Sequence, residues 1–231
     1  MKESTKYLKH LKEAGIAKAV LDAAADVDRK KFVDPIFADR AYSFEEIPIG
    51  CGQKNDDPVI MARMIGQLGL KKKSRVLEVG TGSGYSTAIL SLLSHEVVTI
   101  EYHEDLARTA KERVIGQGFN SARFYAGDAT DFDGPLGLFD SVIVFAACSR
   151  TPYFLINAVK PGGIAVFPMG PPHQQQIARF VNNAEARRMS DNFRFLDFCA
   201  FDSIRGVYGW VDVPDVDVPP PPGTDPPDGE R

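Results

Sequence analysis

Leu8, Leu11, Ile16, Val20 and Leu21 recur at helical spacing with lysines between them, which predicts one or two surface helices over residues 5–25. Between Asp28 and Asp57 the period is lost, and Pro35, Pro48 and Gly50 interrupt any long element. A loop-rich segment is expected there, of the kind that carries substrate contacts. The rhythm then becomes strand, turn, helix. Arg75-Val76-Leu77-Glu78-Val79 is a short apolar run closed by glycines and followed by a helical stretch over 85–93. A second strand at 97–100 precedes a second helix at 106–115, and further strands are expected at 122–125, 141–145 and 164–167. The last of these follows a Lys160-Pro161-Gly162-Gly163 turn. Buried parallel strands alternating with helices predict an α/β fold with a doubly wound, mostly parallel, Rossmann-like sheet. Segments 195–201 and 207–211 have no helix between them, and a C-terminal antiparallel hairpin is expected to finish the sheet.

The pattern also divides the chain. Residues 1–60 read as N-terminal helices and an active-site loop, and 61–213 as the ligand-binding core of the same domain. From Pro214 onward seven prolines with almost no apolar side chains bury too little surface to offset ordering entropy. Residues 214–231 are therefore expected to be a disordered, Pro-rich tail.

Composition narrows the function classes. With 27 Lys plus Arg against 31 Asp plus Glu, a net charge of −4 supplies no global field for gathering nucleic acid. Cys51, Cys148 and Cys199 are odd in number and widely spaced, so neither a disulfide framework nor a zinc site is expected. No run of about 18 apolar residues occurs, which argues against a membrane span. A reduced, cytoplasmic protein is the simplest expectation.

The chemistry is concentrated at strand ends. Open sheets of this kind bind ligands outside the carboxyl ends of their strands, and the loop Glu78-Val79-Gly80-Thr81-Gly82-Ser83-Gly84-Tyr85 lies at the first of them. A dinucleotide fingerprint would need Gly or Ala at position 85, where the chain has Tyr85. A tight strand-to-helix turn would also need glycines, so the loop alone is a weak signal. Glu101 ends the second strand, where its two carboxylate oxygens suit the hydroxyls of a ribose. Asp128, in Gly127-Asp128-Ala129 after the third strand, suits an adenine amino group, with a neighbouring backbone N–H for a ring nitrogen. Singly, each carboxylate is more often a surface charge or a helix cap; together with the glycine loop, at consecutive strand ends, they point to an adenosine ligand. Phe145, Tyr85 and Tyr102 are candidates to line its adenine site.

From about Val20 to Trp210 the chain resembles the protein-L-isoaspartate O-methyltransferases. The resemblance is carried by Asp28-Arg29-Lys30-Lys31-Phe32-Val33, Ile47-Pro48-Ile49-Gly50-Cys51-Gly52-Gln53, the glycine loop, Ile100-Glu101, Gly127-Asp128-Ala129, 139–144 and 160–163. The Pro48 to Gln53 run is the family-specific part. It implies S-adenosylmethionine as cofactor, S-adenosylhomocysteine as product, and the carboxylate of isoaspartyl or D-aspartyl residues in damaged protein as acceptor. Carried over position by position, it implies cofactor contacts from Gln53, Glu78, Gly80, Thr81, Gly82, Ser83, Gly84, Tyr85, Glu101, Tyr102, Asp128 and Ala129, and no metal. Where the family reads Thr-Ile-Ser-Gln-Pro, this chain has Lys54-Asn55-Asp56-Asp57-Pro58, so Asp56 stands at the active-site serine position. An ionised Asp56 about 4 Å from an incoming carboxylate would repel it by roughly 1–4 kcal/mol unless Lys54 compensates. A solvated turn whose aspartates cap the following helix is the other reading of this run. A methyltransferase with a different acceptor, with Asp56 or Asp57 as general base, and a non-catalytic S-adenosylmethionine-binding module are the alternatives to repair.

Overall fold

A computed structural model of the chain describes residues 2–131 and 137–210. The Pro-rich tail expected at 214–231 lies outside them.

The amphipathic N-terminal stretch forms two helices, α1 (Glu3–Glu13) and α2 (Lys18–Asp26), which bury Tyr7, Leu11, Val20 and Ala24. The aperiodic segment that follows holds two 3-10 turns and a small antiparallel ribbon, β1 (Pro48–Gly50) with β2 (Gln53–Lys54). Helix α3 (Pro58–Gly66) begins at Asp57, whose side chain accepts from the N–H groups of Val59 and Ile60 at 2.7 and 3.2 Å. The capping reading therefore holds for Asp57 and not for Asp56.

The alternating region builds β3 (Arg75–Val79), α4 (Tyr85–Leu93), β4 (Glu96–Glu101), α5 (Glu104–Gly116), β5 (Ala122–Ala126), β6 (Phe139–Val144), α6 (Tyr153–Ile156) and β7 (Val159–Met169). The strands lie in the order β5-β4-β3-β6-β7, all parallel. The chain winds outward from β3 to β5 and then returns to the other side of β3, so the order reverses between β3 and β6. That reversal opens the crevice at the carboxyl ends of these strands. Successive strand residues serve opposite faces. Val76, Val97 and Ile143 pack under α1 to α4, whereas Leu77, Val98 and Val142 pack with Leu155 and Ile156 of α6. The Lys160 to Gly163 turn is a bulge inside β7, where a Cβ on Gly163 would come within 2.7 Å of the Asp140 carbonyl oxygen.

The antiparallel end of the sheet differs from expectation. Strand β8 (Gln175–Val181) pairs with β7 on one side and β9 (Phe193–Cys199) on the other, so residues 195–199 pair with 175–178 and not with 207–211. Residues 207–209 are turn, with the Gly209 N–H bonded to the Gly206 carbonyl at 3.0 Å. Strand 175–181 escaped the pattern because Gln175, Gln176 and Arg179 interrupt its apolar alternation, although Gln175 is itself buried.

Candidate active site

The backbone after β3 turns through positive φ at Gly80, Gly82 and Gly84. These glycines do different jobs. The Gly80 N–H still belongs to the sheet, bonded to the Ile100 carbonyl at 2.9 Å. Gly82 donates its N–H to Glu101 Oε2 at 2.9 Å. Gly84, at φ 89°, leaves no room on its inner side: a Cβ would sit 2.8 Å from Val114 Cγ2 and 3.3 Å from Ala110. It lets α4 approach α5 and is absent from the cavity wall. The ligand contact expected of Gly84 finds no support in the cavity lining.

Glu78 is likewise set back from the cavity lining. It is fully buried behind the loop, with Ser86 Oγ donating to one carboxylate oxygen at 2.6 Å and Thr87 Oγ1 to the other. Burial pushes its carboxyl up to about 7 against the opposing pull of those hydroxyls. It fastens the first turn of α4 to the end of β3 and does not line the cavity.

Glu101, also buried, ends β4 with Oε2 held by Gly82 and Oε1 accepting the His103 N–H at 3.0 Å. One backbone donor per oxygen fixes the carboxylate and leaves each oxygen lone-pair capacity for a ligand hydroxyl. After β5, Asp128 Oδ1 accepts the Thr130 N–H at 2.7 Å, and beside it Thr130 Oγ1 is buried without a partner. The sheet thus brings two carboxylates and the glycine loop to one crevice. A cavity of about 580 Å³ occupies it, large enough for a nucleoside-sized ligand. Its wall contains Gln53, Asp56, Gly80, Thr81, Gly82, Ser83, Tyr85, Glu101, Tyr102, Asp128 and Ala129, together with Phe145. Spare acceptor capacity on Glu101 and the second oxygen of Asp128 fit an adenosine moiety.

Two further walls close the cavity. Arg29, buried, donates to the Ser43 carbonyl at 3.0 Å and lies 5.3 and 5.5 Å from the ring centroids of Tyr7 and Tyr85. The two tyrosine hydroxyls meet at 3.4 Å, and burial raises the Tyr85 hydroxyl well above 10, so it stays neutral. The opposite wall, residues 200–205, was not foreseen from the sequence. Gln175 holds it down: Nε2 donates to the Phe201 carbonyl at 2.9 Å and Oε1 accepts the Phe201 N–H at 2.7 Å. Ala147, past the end of β6, bonds the Asp202 carbonyl at 2.8 Å and the Ile204 N–H at 2.9 Å. Asp202 is thereby set on the cavity wall.

The divergent loop forms the mouth. Asn55 ties it to Ile47 through its own N–H at 3.0 Å and its side chain, and donates to the Asp56 carbonyl at 3.1 Å. Lys54 is engaged with Glu46 at 2.5 Å. Asp56 lines the cavity, and burial, then the charge of Asp202, push its carboxyl up to about 7, against a smaller opposing pull from Lys54. Burial and the charge of Asp202 both disfavour the ionised form from which the expected repulsion would come.

Comparison with known proteins gives a consistent result. The family described as Protein-L-isoaspartate(D-aspartate) O-methyltransferase (PCMT) matches residues 2–201. A protein-L-isoaspartate O-methyltransferase of Dictyoglomus thermophilum is 37% identical over 210 residues, 90% of this chain and 93% of that protein. One from Rhodopseudomonas palustris is 39% identical over 176 residues, 76% of this chain and 82% of its own. Among solved structures, a Plasmodium falciparum protein described as this enzyme, in complex with S-adenosyl-L-homocysteine, has a TM-score of 0.74 at 22% identity. It covers 89% of this chain and 99% of that one. At that identity the likeness concerns the fold.

Proposed function

The chain belongs to the protein-L-isoaspartate(D-aspartate) O-methyltransferase family, and from that membership we propose that it methylates the free carboxylate of isoaspartyl or D-aspartyl residues in damaged protein. S-adenosylmethionine is its cofactor; when bound it supplies an electrophilic methyl group. The observation that carries the reading is Glu101, a buried strand-end carboxylate whose oxygens are each steadied by one backbone N–H and retain capacity for a ribose diol.

The residues divide the work by position. Gly80, Thr81, Gly82, Ser83 and Tyr85 hold the amino-acid end of the cofactor, Glu101 and Tyr102 the ribose, and Asp128 and Ala129 the adenine. Gln53 contributes to the cofactor side and Asp56 stands at the acceptor side. Glu78 and Gly84 support the loop from behind. The acceptor carboxylate is already an anion at neutral pH, so no strong base is required. The walls contribute alignment of that anion, exclusion of water and the entropy saved by holding two reactants together.

Residues 1–60 and the core act as one unit, joined through the Tyr7–Tyr85 contact. Among the described residues no helix is long and apolar enough to cross a membrane. We place the protein in the cytoplasm, where the free Cys51, Cys148 and Cys199 suit a reducing environment.

Release of S-adenosylhomocysteine on adding an isoaspartyl peptide, and not its aspartyl counterpart, is the expected result. Release only with other acceptors would replace the substrate. Binding of S-adenosylhomocysteine with no turnover on any acceptor would make the chain a binding module.

A further inference from the structure

The mouth of the cavity contains a carboxyl group with no counterpart in the family's active-site run. Asp56 reaches the cavity wall, and among the described residues its side chain accepts no hydrogen bond. Of the groups whose charge acts on it, Asp202, Asp57 and Glu78 are of the same sign and Lys54 is opposite, while Arg29 and Arg205 line the same cavity. Asp57 spends its side chain on the first turn of α3, Glu78 is satisfied by Ser86 and Thr87, and Lys54 is drawn to Glu46. Asp202 faces the same space, with its backbone pinned through Ala147 and the neighbouring Phe201 clamp.

Resting on the repair reading above, we propose that Asp56 works as a carboxylic acid, donating its proton in a hydrogen bond to the acceptor carboxylate where the family uses a serine hydroxyl. Burial and Asp202 together place this carboxyl near 7, and an arriving anion beside it favours the protonated form further. Two carboxyl groups sharing one proton form a short, charge-assisted hydrogen bond, stronger than one from a neutral hydroxyl. One acceptor oxygen is held in this way. The other oxygen takes the methyl group: its lone pair forms the new C–O bond while the S–C bond breaks and that electron pair stays on sulfur. The proton remains on Asp56 throughout, so the acid positions the acceptor and is not consumed. Acceptor recognition thereby becomes pH-dependent, which a serine would not make it. Peptide binding takes up a proton above neutral pH and weakens as pH rises, by up to about tenfold per unit. Asp202 acts through Asp56, as the neighbour that keeps the proton on it.

The test uses the parent protein loaded with S-adenosylhomocysteine and an isoaspartyl peptide, titrated calorimetrically at pH 8 in two buffers of different ionisation enthalpy. Uptake of close to one proton per peptide bound is expected. Peptide KM should rise toward pH 8.5 in the parent and stay level in Asp56→Asn and Asp56→Ser, and Asp202→Asn should move the parent's rise to lower pH. Binding without proton uptake, or a parent KM as level as that of Asp56→Asn, would overturn the inference while leaving methyl transfer intact. The premise fails separately: no methyl ester from the isoaspartyl peptide with either the parent or Asp56→Ser at any pH removes the repair reading, and the inference with it.

Discussion

The side chain of Gln175 grips both backbone polar groups of Phe201, at 2.7 and 2.9 Å, across 26 residues of sequence. One buried amide thus does for residues 200–205 what a strand ladder does elsewhere, and sets Asp202 on the cavity wall. Gln175→Ala leaves the Phe201 N–H and C=O without partners and should cost about 2–4 kcal/mol in urea denaturation. Peptide KM should rise by a larger factor than the affinity for S-adenosylhomocysteine falls. An unchanged KM would show that this wall does not contact the acceptor.

Glu101→Ala removes an anchored acceptor pair and the restraint on the Gly82 N–H. Affinity for S-adenosylhomocysteine should fall by about 2–3 kcal/mol, measured by calorimetry, with the fold retained. Binding as tight as in the parent would assign the ribose to another group.

Gly84→Ala tests the division of labour among the glycines. A methyl group 2.8 Å from Val114 Cγ2, on backbone at φ 89°, should destabilise the fold by about 2–4 kcal/mol. Adding Val114→Ala should relieve the contact but not the backbone strain. Cofactor affinity of the folded fraction should change little, and a large loss would return Gly84 to the ligand site.

Stability should depend on pH through Asp56. Its folded carboxyl is raised from 3.8 to about 7, so the folded state disfavours the ionised form. The favourable situation is complete below the unfolded value and is lost as pH rises toward 7. From pH 5 to pH 8 the contribution lost is of order 2 kcal/mol. Thermal melts of Asp56→Asn should therefore gain on the parent as pH is raised over that range. A constant gap would mean that Asp56 ionises freely in the folded protein.

Much of the site was legible because an α/β sheet writes its ligand groups at strand ends, just after apolar runs that the pattern exposes. Gly82, Glu101 and Asp128, which the fold sets on one cavity wall, were picked out in that way. Glu78 and Gly84 sit in the same motif, yet their partners are Ser86, Thr87, Val114 and Ala110, and which side of a loop a residue faces depends on helices packed behind it. Asp56 and Asp57 are adjacent, chemically identical and both on the cavity wall; only the start of α3 makes Asp57 the cap. The wall at residues 200–205 was not foreseen because its fixing contacts come from Gln175 and Ala147, which lie far away in sequence and carry no periodic signal.

The way α1 and α2 are buried also sets an order of assembly. Their apolar faces, with Leu11, Val20 and Ala24, close against the same cluster as Ile89 and Leu90 of α4, and the Tyr7 hydroxyl waits for that of Tyr85. During synthesis the first 26 residues therefore lack much of the surface they close on until the chain has grown past α4. Those long-range closures should make the amino terminus a late arrival in folding. Amide exchange begun during refolding should label α1 and α2 after the central strands have become protected, and saturating S-adenosylhomocysteine, by steadying the loop before Tyr85, should slow the opening of helices that it never touches.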